Sequence, residues 1–397
     1  MALDNFKEQF DNQYEEFFQK VLVAMKIANT RFQSDLSYGS SVRRVRYDIS
    51  NVRVRTVTIG SDRTIDSVTD TDESLLINTQ IGTTFALSTK EIKQAGPLKP
   101  GAVIGAKVAM KTAIAVDADV LYETINAFKT FDNGTLTTLT ASTTPITLDS
   151  TTVPKVVTRL PAFLGRNNQT LVNLCWVVDH IASSDLSQYI LGKNIDIANS
   201  VFQNGFINGE AAAAEVYLSE NLTGEFLLTC SGNLTAGDTV VVEGVTLTAA
   251  SPIGTDPGNF LVGANLTATL ANLAGLINNP GTTSATQVAL SAANQVKFDD
   301  DLNLTATPTA TTLTVVGKGS GRMIVSKVSS VTTITSNFIH SYFGKKGAID
   351  VVIQDKVDME MRDEPRQRAT NILSDVLYGK KTFWDGSQKF LDVWIAA

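Results

Sequence analysis

Histidine and cysteine are almost missing from this chain. Its 397 residues hold two of each, His180 and His340, Cys175 and Cys230. The two cysteines stand alone in apolar surroundings, which argues against a disulfide framework and fits a reducing compartment. Neither histidine has a second histidine or cysteine at ligand spacing, so no metal site is expected. Positive charge is scarce too. The formal net charge is −7, the sequence pI is about 5.0, and no basic tail occurs. Lysine and arginine carry most affinity for phosphates, so a dedicated DNA-binding role is not expected. No apolar run is long enough to span a bilayer. The opening DNFKEQF is charged and lacks the apolar core of a secretory signal. The expectation is a soluble, intracellularly made protein with no membrane partner, long enough for a sizeable core and two domains.

Catalytic machinery is also missing from the sequence. Asp179-His180 with Ser183 and Ser184 has the letters of a hydrolytic triad, but triads are assembled from separated segments. A strand end followed by a helix, with Ser184 capping at Asp185, explains the same letters. His340, in HSYFGKKGAID, reads as a helix start. Asp299, Asp301 and Asn303 match the first ligands of a calcium loop, yet Leu304 replaces the turn glycine and Ala310 the bidentate glutamate. Gly317-Lys318-Gly319-Ser320-Gly321 joins two strands and precedes no helix, so it lacks the geometry that cradles phosphate. Asn221, Asn233, Asn265 and Asn303 each begin an NLT triplet and read as turn or cap residues. No enzyme and no cofactor is expected.

What is present is organised around residues 98–128. Ile104, Val108, Ala115, Ala118, Leu121, Ile125 and Phe128 share one helical face, Pro100 suits a first turn, and Asn133-Gly134 reads as the stop. Its charges run against the helix dipole. Lys107 and Lys111 lie toward the N-terminal end, and Asp117, Asp119 and Glu123 toward the C-terminal end; each such charge costs about 0.3–1 kcal/mol when exposed. Either these are solvated charges on a surface helix, or, as expected here, Lys107, Lys111, Asp117, Asp119 and Glu123 find partners on other segments or other subunits.

Before this helix, Phe6, Phe10, Tyr14, Phe17, Val21 and Met25 make an amphipathic arm, which packs either on a neighbouring chain or within its own core. Residues 40–84 change character. Val42, Arg44 and Arg46, then Val52, Val54, Thr56 and Thr58, alternate as strands do around a turn near Asp48–Asn51. Arg43, Arg44, Arg46, Arg53, Arg55 and Arg63 make one block basic. Asp62, Asp66, Asp70, Asp72 and Glu73 make the next acidic. With so few large apolar residues the stretch is either a mobile loop or an extended hairpin lying on another subunit, its register set by opposed charge.

Beyond the helix, residues 135–152 are Thr-rich and read as exposed loop or strand. A helix near Lys155–Leu164 and a buried strand, Leu171–Val178, begin a compact α/β unit. Residues 224–335 are compositionally foreign, rich in Thr, Ala, Asn and Val. Thr239–Val242 and Val245–Thr248 flank the hairpin turn Glu243-Gly244. Leu266, Leu270, Leu273 and Ile277 mark a short helix. Strands are expected over Thr286–Phe298, Thr311–Val316 and Arg322–Val328. The part reads as an insertion, because the pattern broken at Asn221 resumes at Phe338. In the strand-rich tail, Val357, Met359 and Met361 alternate with charged residues, Ile372–Tyr378 and Phe390–Ile395 flank the turn Trp384–Ser387, and Trp394 and Ile395 tie the end into a sheet.

Two blocks carry a family resemblance: VFQNGFINGEAAAAEVYLSENLTG, residues 201–224, and HSYFGKKGAIDVVIQ followed by VLYGKKTFWDG, residues 376–386. With the Phe85–Glu91 segment running into the long helix, the chain resembles the major capsid (coat) proteins of tailed double-stranded DNA phages. The resemblance implies an α+β fold of the Hong Kong 97 type. Residues 1–39 would be the N-terminal arm, 40–84 the extended loop, and 85–154 a peripheral domain with spine helix 98–128. Residues 155–223 would be an axial domain, 224–335 an inserted α+β domain with strands resembling those embedded in phage coat and tail proteins, and 336–397 the return strands. It implies a shell of hexamers and pentamers, a virion location, and as partners further copies of itself, a portal, scaffolding, decoration or cement proteins, and enclosed DNA held weakly. Candidate inter-subunit contacts are Arg43, Arg44, Arg46, Arg53, Arg55, Asp66, Asp70, Asp72, Glu73, Lys107, Lys111, Asp119 and Glu123. Some relatives crosslink through lysine and asparagine. Residues 40–84 hold no lysine, so a non-covalent shell is expected. The rival readings are a tail-tube or decoration protein, which should lack the spine helix, and a surface adhesin, which the absent signal speaks against.

Overall fold

A computed structural model describes residues 22–32, 40–48, 52–56, 65–88, 100–166, 169–191, 210–211, 214–355, 359–364 and 369–397. The arm stripe from Phe6 to Val21, Arg63 and the block 201–209 lie outside the described residues. The architecture is α+β, with the strands of the described residues gathered mainly into four sheets.

The largest sheet is built on a single 14-residue strand, Thr332–Lys345. Its first part pairs antiparallel with Thr223–Cys230. Its second part pairs with the C-terminal strand Phe390–Ala396 and with Leu174–Val178. The reading LCWVV explains the last of these. An uninterrupted apolar run suits a strand covered on both faces, and every residue of it is buried. Inside that core the Trp176 indole donates to Ser341 Oγ at 2.9 Å, and Ser341 donates to the Val177 carbonyl at 2.5 Å. Helices Val153–Gly165 and His180–Leu191 flank the strand in sequence. Asp179, not Ser184, caps the second, its carboxylate accepting from the Ala182 amide at 3.0 Å.

A second apolar cluster, around Phe226, Leu270, Phe260 and Phe298, is drawn from residues 226–323. The hairpin about Glu243-Gly244 is present, both turn residues having positive φ (51° and 77°) as a type I′ turn requires. Asn265 caps the helix Leu266–Asn278, accepting from the Ala268 amide at 2.9 Å. The strand expected at 286–298 is instead extended chain followed by helical turns at Ala292–Val296 and Lys297–Asp301. Phe298 is buried by them, and its apolar neighbours are what made the stretch read as a strand. The tail also holds a four-stranded sheet: Ala369–Lys381 at its centre, flanked by Thr79–Ser88, Asp350–Asp355 and Met359–Glu364.

The long helix runs Pro100–Leu121 and closes through a single 3-10 turn, Tyr122–Asn126. It stops short of Phe128, which is half exposed. Asn133-Gly134 does not stop it but opens a short helix, Asn133–Thr138, capped by Asp132. The buried face overlaps the expected one only in part: Ala118 and Leu121 are buried and Ile104 and Val108 pack against the core, but Ala109, Thr112, Ala113, Val116, Asp117 and Val120 are buried as well. Size decides here rather than hydrophobicity. A side chain on Gly319, which has φ +70°, would overlap Ala118. The Gly317–Gly321 loop can lie against the helix only because both partners are small.

His340 lies within the central strand, not at a helix start. Its Nδ1 meets the two Asp392 oxygens at 3.0 and 2.9 Å, and its Nε2 meets Glu225 at 3.2 Å. The Trp394 indole donates to Asp392 at 2.8 Å. With an acceptor at each ring nitrogen, only the doubly protonated imidazolium satisfies both. Burial opposes that charge, but Asp392 and then Glu225 outweigh it and raise the pKa from 6.5 to about 9. A raised folded-state pKa stabilises fully below the unfolded value and is lost as pH climbs through the folded one. Denaturation midpoints measured from pH 6 to 9.5 should therefore fall between about pH 6.5 and 9, by on the order of 3 kcal/mol. A His340→Gln chain, less stable throughout, should not show that fall.

Candidate assembly surface

The basic strand Ser41–Asp48 pairs antiparallel with the acidic strand Thr69–Leu76, not with residues 52–58 as the alternation suggested. Opposed charge accounts for the choice, since residues 52–58 would have set arginine against arginine. The register places Arg44 opposite Glu73, Val45 opposite Asp72 and Tyr47 opposite Asp70. The two faces of the ribbon then differ.

The inner face carries Val42, Arg44 and Arg46 with Leu75 and Glu73. Leu75 is fully buried in a small cluster with Ile77, Val352 and Phe383. Arg44 grips Asp385 with both terminal nitrogens, at 3.2 and 3.3 Å, and lies 4.7 Å over the Phe383 ring. Arg46 stacks 3.7 Å over Trp384, whose amide donates to Glu73 at 3.3 Å. Planar guanidinium groups suit such stacked, forked contacts in a way lysine does not. These contacts fix the root of the ribbon to the helical turn Trp384–Ser387. Sequence reading saw that turn but had no signal linking it to residues 311 positions or more away.

The outer face carries Arg43, Val45, Tyr47, Asp70, Asp72, Ser74 and Leu76, all exposed. Arg43 and Asp72 form an ion pair there. Beyond the paired strands, Arg55 holds Asp66 with two hydrogen bonds of 2.8 Å, and the Arg53 amide donates to it at 2.9 Å. The Arg55 hydrogen bonds, chiefly, hold the Asp66 carboxyl below the usual range. Around these pairs Val54 is fully exposed and Ile65 is 94% exposed.

The charges that oppose the helix dipole divide. Asp117 is buried and accepts from the Ala24 amide at 2.6 Å, from Ser219 Oγ at 3.1 Å and from Asn221 Nδ2 at 3.1 Å. Burial pushes its carboxyl up against these bonds. Asp119 takes Lys380 at 2.8 Å, Lys318 at 3.3 Å and the Tyr378 hydroxyl at 2.8 Å. Burial raises its carboxyl, yet the two lysines and the tyrosine more than offset this and hold it below the usual value. Glu123 lies 3.8 Å from Lys380 and accepts from the Thr382 amide at 3.2 Å. Asp119 and Glu123 thus find partners on distant segments of their own chain. Lys107 and Lys111 are exposed, with no partner among the described residues. Asp179 receives Arg322, which also donates to the Ala396 carbonyl at 2.6 Å. Among the described residues no three histidine, cysteine or carboxylate side chains are placed to hold a metal, and no helix is long and apolar enough to cross a membrane.

No family model and no curated protein sequence matches the chain. Solved structures do. The structure of Mycobacterium phage Che8 aligns over 94% of this chain and 90% of its own, at 12% identity and a TM-score of 0.50. The capsid of cyanophage P-SCSP1u covers 94% and 88% at 10% identity and a TM-score of 0.48, and the mature capsid of bacteriophage PhiM1 covers 94% and 87% at 12% identity and 0.48. At such identity the likeness is one of fold, the α+β Hong Kong 97 type implied by the two sequence blocks.

The strength of the ribbon's root is measurable on the isolated chain. Arg44→Ala removes a forked ion pair and an aromatic stack and should cost about 1–2 kcal/mol. Amide exchange over residues 41–48 should quicken several-fold while that of 174–178 stays unchanged. A double-mutant cycle with Asp385→Ala should recover about 1 kcal/mol of coupling.

Proposed function

We propose that this chain is the major capsid protein of a tailed double-stranded DNA phage, a structural subunit that assembles with copies of itself into the hexamers and pentamers of an icosahedral head. The observation that carries the reading is the ribbon of paired strands Ser41–Asp48 and Thr69–Leu76. It is anchored at its root and bare along its outer face, with Val45, Tyr47 and Leu76 exposed beside Asp70 and Asp72, and Val54 and Ile65 beyond the paired strands are exposed too. A monomer gains nothing from a projecting apolar strip; a subunit that overlaps its neighbour does. Arg43, Arg53, Arg55, Asp66, Asp70 and Asp72 are then the charged residues that meet the adjacent copy, and Arg44, Arg46 and Glu73 hold the ribbon in place for it.

The fold shared with a phage structure supports this reading. So does the acidic net charge, since a container that gripped DNA tightly could not fill and empty freely. Weak contacts suffice, because each millimolar contact contributes about 4 kcal/mol and closure multiplies them. In this reading residues 224–335 are an inserted unit. A portal and scaffolding, decoration or cement proteins are the further partners, and the product resides in the virion after synthesis in the host bacterial cytoplasm.

Negative-stain microscopy of the overexpressed chain is the direct test, with closed icosahedral shells expected. Tubes or persistent monomers would reject the reading. Val54→Asp combined with Ile65→Asp should leave the subunit's melting point within about 1 °C, since both side chains are exposed, and should reduce shell yield at least tenfold.

A further inference from the structure

Residues 22–32 are fastened to the long helix at one end and to the root of the ribbon at the other. The segment begins in the main core. Leu22, Ala24 and Ile27 are buried there, in the same cluster as Ala109, Ala113 and Val116 of the long helix. The Ala24 amide donates to the buried Asp117 at 2.6 Å. The chain then runs beside the start of the strand Asp350–Asp355. The Asn29 amide donates to the Ile349 carbonyl at 2.7 Å, and the Asn29 carbonyl accepts from the Val351 amide at 3.0 Å, which makes a parallel bridge about Asp350. Side chains repeat the link. Asn29 Nδ2 donates to Asp350 at 2.6 Å, and Arg31 lies 3.6 Å from the same carboxylate.

The far end of the segment reaches the ribbon. Phe32 packs on the small cluster of Leu75, Ile77, Val352 and Phe383, and Val42 of the ribbon packs on it too. The Phe32 ring meets Phe383 edge-on at 6.5 Å. Arg31 lies 4.5 Å over Phe32, and Arg44 of the ribbon lies 4.7 Å over Phe383. A pair of strands is marginal in water without cover on one face. Part of that cover is Phe32, so the ribbon depends on a side chain whose backbone is held in place by Asn29 and, further back, by Asp117. In a cluster this small, losing one aromatic ring is felt by every other member.

We infer that residues 22–32 position the ribbon for its neighbour, and that segment and ribbon open and close as one cooperative unit, with Asn29 and Phe32 as the positioning residues. This rests on the reading of the ribbon as the surface that meets another copy, yet it is tested on the unassembled subunit. The first measurement uses the intact chain: amide exchange followed through a series of denaturant concentrations below the unfolding midpoint. The amides of Ala24 and Asn29 and those of residues 42–47 should converge on one opening curve, distinct from that of residues 174–178. Separate curves for segment and ribbon would overturn the inference, and so would a single curve that also took in residues 174–178. The second measurement perturbs each end and reads the other. Ile27→Ala should quicken exchange at residues 42–47 several-fold, and Phe32→Ala and Arg44→Ala should each quicken exchange at Ala24, because coupling between two sites is reciprocal. Phe32→Tyr, which keeps the ring, should restore the rate at Ala24. Quickening confined to the substituted end would overturn the coupling. Closed shells in the microscope together with separate opening curves would reject the coupling and leave the capsid reading standing; one shared curve without shells would do the reverse.

Discussion

Both apolar cores hang on one strand. Thr332–Lys345 contributes Ile334 to the border of the cluster drawn from residues 226–323 and Ile339, Tyr342 and Phe343 to the main core. A strand cannot slip by one residue without turning every side chain to the opposite face. A continuous strand serving two cores therefore locks the register of both together. The close contacts around it are consistent with that demand. A side chain at Gly344 would collide with Phe390, and the Tyr342 ring stacks on Phe390 at 4.8 Å. The His340 imidazolium, bonded to Glu225 on one neighbouring strand and Asp392 on the other, pins the same three strands at the point where the cores adjoin.

From that frame the cross-links run to the long helix. Lys318, in the glycine loop, and Lys380, in the tail sheet, converge on Asp119 from opposite sides of the sequence. Arg322, one residue past the same loop, holds the cap of helix His180–Leu191 and the C-terminal strand. These pairs are partly or wholly buried, so their worth lies less in net stability than in the penalty for any arrangement that leaves one member alone. They select one relative placement of helix, loop and tail. The ribbon's root belongs to the same set, because Asp385 joins Arg44 and Lys389 at one turn.

How much of this could be read beforehand depended on whether a signal was local. The hairpin at Glu243-Gly244 and the helix opened by Asn265 rest on chemistry within a few residues and stand where the sequence put them, and the strand expected over Leu171–Val178 is present over Leu174–Val178. The misfit charges on the long helix were legible as misfits, but their partners were not. Lys380 lies 261 positions from Asp119, and periodicity carries no information over such a distance. The inward face of that helix was only partly legible for a related reason. Its ridge is lined by alanine, threonine and aspartate because Gly319 and Ala24 come close, and a scale that ranks hydrophobicity cannot see closeness. His340 read as a helix start but lies within the central strand, where Gly344 permits a close approach to Phe390.

The ribbon shows how a partly unsatisfied surface can be stable enough to exist. Two strands alone are marginal in water. Here the inner face gains what the outer face lacks: a fully buried Leu75, two arginines stacked on aromatic rings and a forked carboxylate. The outer face is then free to keep Val45, Tyr47 and Leu76 exposed. Opposed charge does two things at once, since Arg43 with Asp72 ties the two strands and Arg55 with Asp66 the segments beyond them, while Asp70 stays exposed. Edge pairing with a wrong partner is discouraged by the same charges, because a second basic strand or a second acidic strand laid alongside would meet its own sign. The charge blocks that make the segment unable to bury a core are thus also what keeps an open strand pair from indiscriminate association.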